Sequence, residues 1–309
     1  VKVYQGIDHF EKIQNAVVTA GTFDGVHIGH RTILNRLKEI ANREDGESVL
    51  LTFFPHPRMV LQSDSDMKLI NTIEEKTKLL EEAGIDHLII HPFDMKFSRL
   101  SSMEFVRDLL VNKIGTKHLV IGYDHHFGRN REGSFEHLME YGPLYGFQVE
   151  EIPAQDVDNV NVSSTKIRNA LIEGDVALAN EFLGKPFRIS GKVIHGQKLG
   201  SSLGFPTANI QIEESYKLIP AVGVYAIQAE LNSNTYKGMM NIGYRPTIED
   251  NSKTLSIEVH LFDFNQNIYG DTIDIHLMHR IRDELKFENK DALIKALDQD
   301  KRNAIHLLA

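Results

Sequence analysis

The stretch Gly21-Thr22-Phe23-Asp24-Gly25-Val26-His27-Ile28-Gly29-His30 constrains this chain more than any other. An apolar run from Ala16 to Ala20 leads into it and predicts a buried strand. Ile33, Leu34, Leu37 and Ile40 follow at helical spacing, with Arg and Lys between them. The stretch is therefore a strand-to-helix turn that carries two histidines. Its glycines let the backbone turn sharply and come close to a ligand. A helix start offers free N–H groups and partial positive charge, which suits phosphate. His27 and His30 are three apart, so at a helix start they face the same way. Two imidazoles at such a turn suit a transferring phosphoryl or nucleotidyl group. The plain alternative is a turn with surface histidines. Zinc is a weaker rival, because no Glu follows His27 as in a His-Glu-x-x-His helix and the chain has no Cys.

The N-terminal half continues in strict alternation. Ser48–Phe54 predicts a strand stopped by Pro55-His56-Pro57. Thr72 with Glu75, and Ser101 with Glu104, form capping boxes that open helices; Gly84 ends the first. Strands are expected at Asp86–His91, Lys117–Gly122 and Phe147–Ile152, with a helix over Ser134–Tyr145. Such β-α-β-α order argues for a parallel sheet covered on both faces, with ligands at the carboxyl ends of the strands. Asp124, in the loop Gly122–Gly133 with Arg129 and Arg131, falls at one such end. Val162-Ser163-Ser164-Thr165-Lys166-Ile167-Arg168 reads as a capped helix start with hydroxyls and two cations, a second anion site or a plain cap.

Character changes near Gly184-Lys185-Pro186, after a short helix over Asp175–Leu183. Strands are expected at Phe187–His195, Gly223–Leu231, Tyr236–Ile242, Leu255–Phe264 and Thr272–Leu277, with a hairpin at Asn265-Gln266-Asn267. Closely spaced strands without helices imply an antiparallel barrel, followed by a last helix over Lys290–Gln299. Gly191, Gly196, Gly200 and Gly204 lead into Phe205-Pro206-Thr207-Ala208-Asn209, with Lys198 the cation among them. Thr207 and Asn209 would share a face of a strand and offer hard oxygens to Mg²⁺. Glu258 shares a face with Ser256 and His260, opposite Ile257, Val259 and Leu261. Each feature has a plain structural alternative: a glycine-rich loop, a solvated strand carboxylate.

The 309 residues suffice for two domains. The absence of Cys excludes disulfides and thiol catalysis, and the net charge of −9 argues against a nucleic-acid binder. No apolar run approaches the ~20 residues that cross a bilayer. Val1–Gly6 lacks the apolar core of a signal peptide, so a cytoplasmic location is expected.

The His-x-Gly-His turn resembles the signature of the nucleotidylyltransferase superfamily. The longer string around it resembles the FAD synthetase module of bacterial bifunctional riboflavin kinase/FAD synthetases. The Asp124 loop and the Ser-Ser-Thr-Lys-Ile-Arg segment are similar to two more strings of that module, although His125 stands where the family has Phe. Gly-Phe-Pro-Thr-Ala-Asn, Met240–Thr247 and Ser256–Phe264 resemble riboflavin kinases. The resemblance implies an α/β Rossmann-like nucleotidylyltransferase domain over 1–184, then an antiparallel β-barrel kinase domain over 185–309. It implies ATP and Mg²⁺ in both halves, with riboflavin, FMN and FAD as ligands, and leaves the oligomeric state open. By resemblance His27, His30 and Glu258 are catalytic, Glu258 as base. Gly21, Phe23, Asp24, Gly25, Asp124, Ser164, Thr165, Arg168, Gly191 and Gly204 bind ATP. Pro55, His56, Pro57 and Arg282 bind flavin, and Thr207 and Asn209 bind the metal. A non-catalytic flavin-binding protein and an adenylyltransferase with another phosphate acceptor are the rivals.

Overall fold

The structure, a computed structural model, describes residues 1–62, 66–153, 162–195, 203–246 and 253–309. Gly196, Lys198, Gly200 and Thr247 lie outside the described residues. Contacts divide the chain into two compact units, Val1–Ser164 and Thr165–Ala309.

The first unit alternates as its sequence pattern requires. Its elements are β1 (Lys2–Gln5), β2 (Ala16–Ala20), α1 (Ile28–Arg43), β3 (Glu47–Phe54), α2 (Pro57–Leu61), α3 (Ile73–Glu82) and β4 (His87–Pro92). A helix begins at Ser102–Glu104 and continues in a wider π register over Phe105–Ile114, followed by β5 (Thr116–Gly122), α4 (Phe135–Tyr145) and β6 (Gln148–Ile152). Both expected capping boxes are formed, at Thr72/Glu75 and Ser101/Glu104. The six strands lie in the order β1-β4-β3-β2-β5-β6, and every pair is parallel. Along the central strands, alternate residues enter two cores. Val18 and Leu51 pack with Phe105, Val106 and Leu110 on one face. Val17, Leu50 and Leu88 pack with Leu34, Leu37 and Leu80 on the other. The order reverses between β2 and β5, which makes the carboxyl end of β2 the switch point where ligands gather in such sheets.

In the second unit, α5 (Ser164–Glu173, its first residue contributed by the first unit) and α6 (Val176–Leu183) precede the strands. These are β7 (Phe187–Ile194), β8 (Ala208–Gln211), β9 (Gly223–Leu231), β10 (Asn234–Pro246), β11 (Lys253–Leu261) and β12 (Thr272–Arg282); α7 (Lys290–Leu307) ends the chain. The strands close an antiparallel barrel in the order β10-β11-β8-β7-β12-β9. Val193, Ile210, Ile242, Ile257 and Ile275 are buried on the strands, alternating with residues of the other face. α7 covers part of that other face, where Ala304 and Leu308 meet Ala226, Met239 and Phe262.

Two expectations are corrected here. Asn265–Asn267 does not join a hairpin: β11 pairs with β10 and β8, whereas β12 pairs with β7 and β9. The tight hairpin lies between β9 and β10 instead, where Asn232 and Ser233 both take positive φ, at 49° and 64°. The final helix also runs well past Gln299, because Ala304 and Leu308 continue its buried face.

Gly191 sits mid-strand in β7, where an added Cβ would come within 2.5 Å of Ile210 Cγ2 and 2.8 Å of the Gln211 carbonyl oxygen. Gly191→Ala should therefore destabilise the barrel by ~1–3 kcal/mol in urea unfolding. An unchanged midpoint would show that β7 and β8 separate without cost.

Candidate functional site

The first constellation forms where β2 runs into α1. His27 is the N-cap of α1, and its Nδ1 accepts the His30 backbone N–H at 3.3 Å. That bond leaves the His27 proton on Nε2. The two imidazoles stack with centroids 3.6 Å apart and planes 16° from parallel. Phe23 lies against His30 at 4.7 Å. The turn between them holds Phe23 at φ 46°, Gly25 at 92° and Val26 at 42°. Left-handed conformations cost non-glycine residues of order 1–3 kcal/mol each and persist only where the surroundings fix them.

Those surroundings come from four elements. The Asp24 carboxylate is buried and accepts the backbone N–H groups of Ile70, at 3.0 Å, and Asn71, at 3.3 Å. Its backbone carbonyl accepts the Ser164 hydroxyl at 2.8 Å. The Thr22 carbonyl accepts from Thr52 Oγ1 at 3.2 Å and Lys76 Nζ at 2.7 Å. Gly21 N–H donates to the Leu51 carbonyl, which locks the turn to β3. Asp24 thus serves the turn's architecture through its carboxylate.

Electrostatics make both histidines neutral. Burial lowers the His27 imidazole to about 4, against a smaller opposing pull from Asp24. His30 is held well below the ordinary range, first by burial, then by His27 and Lys76. A neutral imidazole offers one N–H donor per ring to a phosphate oxygen. His30 Nδ1 and Asn71 Oδ1 are buried without a hydrogen-bond partner. Buried polar atoms left so cost free energy that a polar ligand would recover.

The neighbouring strand ends flank this turn. After β3, Pro55 is exposed and His56 caps α2 by accepting the Arg58 N–H at Nδ1, with Pro57 at the first helical position. After β5, Asp124 is exposed. His125 next to it stacks on Phe127 at 5.8 Å and 24°, and burial lowers its imidazole to about 4. A neutral, stacked His125 behaves as an aromatic ring. Thr165 is exposed and Arg168 half-buried on α5.

The second constellation lies on the barrel. Glu258 on β11 stands opposite Asn209 of β8 and Asn241 of β10. Cross-strand partners share a face, so the carboxylate and the two amides converge. Thr207, just before β8, donates its hydroxyl to Glu258 Oε2 at 3.1 Å. His260, two residues along, donates from Nδ1 to the Pro206 carbonyl at 2.8 Å and so fixes the residue before Thr207. Gly204 turns the chain there with φ 84° and open space around it. The set of hydroxyl, amide and carboxylate oxygens fits Mg²⁺, which needs few protein ligands. Among the described residues no group of three or more His, Cys, Asp or Glu is arranged to hold a metal.

Arg282 is ion-paired to the last helix. Its Nε and Nη2 donate to the two carboxylate oxygens of buried Asp300 on α7 at 2.9 and 2.7 Å, and Nη1 donates to the Asp283 carbonyl. Its visible role is to fasten α7 to β12. Gly191 likewise serves strand packing. Sequence reasoning missed Lys76, Thr52, Asn241 and Asp300. Only Asn241 carried a signal, its place in the Met240–Thr247 string.

With this geometry in view, known proteins resemble the chain throughout. The family model for FAD synthetase matches residues 9–166, and that for riboflavin kinase matches residues 183–308. The chain belongs to the bifunctional riboflavin kinase/FMN adenylyltransferase family. Relatives of that name include one from Bacillus subtilis, 40% identical over 299 residues covering 96% of this chain and 93% of the relative. Another, from Escherichia coli, is 36% identical over 307 residues, covering 98% of this chain and 97% of the relative. A crystal structure described as a macrolide-efflux protein from Streptococcus pneumoniae superposes with a TM-score of 0.87 at 29% identity, covering 97% of each chain. Among the described residues, no helix is long and apolar enough to cross a membrane.

The neutral histidines carry a pH consequence. In the unfolded chain they bind protons below about 6.5, whereas folded His27 does so only near 4. Stability should be full above pH 6.5 and fall as the pH drops toward 4, because the unfolded state takes up more protons in that window. His27→Asn keeps an N-cap and should flatten the decline in urea midpoints from pH 7 to pH 5. Parallel declines in the two proteins would contradict the depressed His27.

Proposed function

We propose that this chain makes FMN and then FAD, with the two reactions on different units. The barrel phosphorylates riboflavin with ATP. The α/β unit transfers AMP from a second ATP to FMN and releases pyrophosphate. The observation that carries this reading is the presence of both constellations on one chain: stacked neutral histidines at a helix start on the switch point, and Thr207, Asn209 and Glu258 together on the barrel. The two family matches, in the same order along the chain, support it.

In the first reaction the ribityl 5′-hydroxyl attacks the γ-phosphorus of ATP, and the bond from that phosphorus to the β-bridging oxygen breaks, leaving ADP. Glu258 is the base that orients this hydroxyl and takes its proton. The Thr207 hydroxyl holds Glu258 in place. Thr207 and Asn209 would hold Mg²⁺, which supplies charge neutralisation at the phosphates when bound. In this reading Gly204, which turns the chain shortly before Thr207, lies against the phosphates.

In the second reaction a phosphate oxygen of FMN attacks the ATP α-phosphorus, and the bond to the bridging oxygen breaks as pyrophosphate leaves. The nucleophile is already an anion, so no protein base is required. His27, through Nε2–H, and His30 donate to the phosphate oxygens as charge builds. Gly21, Phe23 and Gly25 shape the turn for the phosphates, and Ser164, bonded to the Asp24 carbonyl, extends the anion site. In this reading Asp124 contacts the nucleotide and the Pro55–Pro57 segment contacts the flavin. Residues 1–184 and 185–309 are the corresponding modules, and a cytoplasmic location without nucleic-acid partners accompanies them.

His30→Ala should abolish FAD formation from FMN and ATP while FMN formation from riboflavin continues. Glu258→Gln should lower FMN formation by ~10²–10⁴-fold and leave FAD formation from supplied FMN. Chromatography of the products checks both. Loss of both activities in either folded variant would overturn the two-site assignment.

A further inference from the structure

One buried charge in the first unit has no part in the chemistry above. Lys76, in the first turn of α3, is only 3% exposed, and its ammonium ends on the Thr22 carbonyl oxygen. A buried amine is unfavourable unless it is paired or hydrogen-bonded. Packing does not explain it, because Leu79 and Leu80 already supply the helix's contribution to the core. Capping does not explain it either, since Thr72 and Glu75 complete the helix start by themselves. What the amine reaches is the turn that carries the histidines. There it anchors the residue directly before left-handed Phe23, on the carbonyl that Thr52 also bonds.

We propose that Lys76 is a positioning residue for adenylyl transfer, clamping the Thr22 carbonyl so that the turn presents its backbone N–H groups and both imidazoles in one fixed arrangement. This rests on the assignment of that transfer to the His27–His30 turn. Lys76 is not itself catalytic, because it touches the turn and not the reacting atoms. Its charge has a second effect, since it is one of the causes that keep the His30 ring neutral. The charged or titratable groups acting here are His27 and Lys76 on His30, and Asp24 on both His27 and Lys76.

The test uses Lys76→Met, Lys76→Gln and Lys76→Arg in the full chain. In FAD formation from FMN and ATP, the Met variant should lose about 10²-fold in kcat, with KM for ATP changing far less. Arg carries a charge to the same carbonyl and should restore most of kcat. Imidazole NMR titration of the same proteins gives a second readout that lost stability alone does not move. The His30 midpoint should rise in the Met and Gln variants and stay put in Arg. Wild-type kcat in the Met variant, or an unmoved His30 midpoint in the uncharged variants, would overturn the proposal. If the Met variant does not fold, the Gln and Arg variants make the same comparison. Should His30→Ala also leave FAD formation intact, the site assignment itself fails. If only the Lys76 variants are silent, the positioning role alone does.

Discussion

The first unit converges on a single carbonyl oxygen, that of Thr22. Thr52 from β3 and Lys76 from α3 both donate to it. The Asp24 carboxylate is held by the backbone at Ile70 and Asn71, and the Asp24 carbonyl by the Ser164 hydroxyl, which braces the turn further. Two non-glycine residues at positive φ are tolerated only because of this bracing. The result is a braced helix start at the point where the sheet order reverses. Burial then sets the state of the rings: both imidazoles are held neutral.

The barrel reaches a comparable end by register. Closing six strands places Asn241, Glu258 and Asn209 side by side on three neighbouring strands, although 49 positions separate Asn209 from Glu258 in sequence. A slip of one residue would turn Glu258 into the apolar face that Ile257 and Val259 occupy. Those two side chains, buried opposite the carboxylate, are what secure its direction. The Arg282–Asp300 pair ties the last helix to this wall, so α7 covers apolar Ala226 and Met239 instead of leaving them in water.

Much of this was readable in the chain because it is local. The strand–turn–helix at Ala16–Ile40, both capping boxes and the strand Gly223–Leu231 follow from periodicity and short-range hydrogen bonding. The relation of Thr207 and Asn209 to Glu258 was legible only through resemblance, since pairing across a barrel is not written in spacing. Long-range partners left no such trace. Lys76 looks like any helix lysine until the fold delivers it to Thr22, and Asp300 like any surface carboxylate until Arg282 arrives. β1 escaped notice because it is a short, mostly exposed edge strand, with Tyr4 tied to His87 by a bond spanning 83 positions. Asn265–Asn267 has hairpin composition, yet the strands on either side of it are not neighbours in the barrel.

The most direct measurement is a time course with purified protein, riboflavin and MgATP, following FMN, FAD and pyrophosphate by chromatography. FMN should appear first, with FAD and pyrophosphate rising after it in equal amounts. Folded protein that forms FMN without FAD would contradict the role given to the His27–His30 turn. Folded protein that forms neither product would contradict the account as a whole.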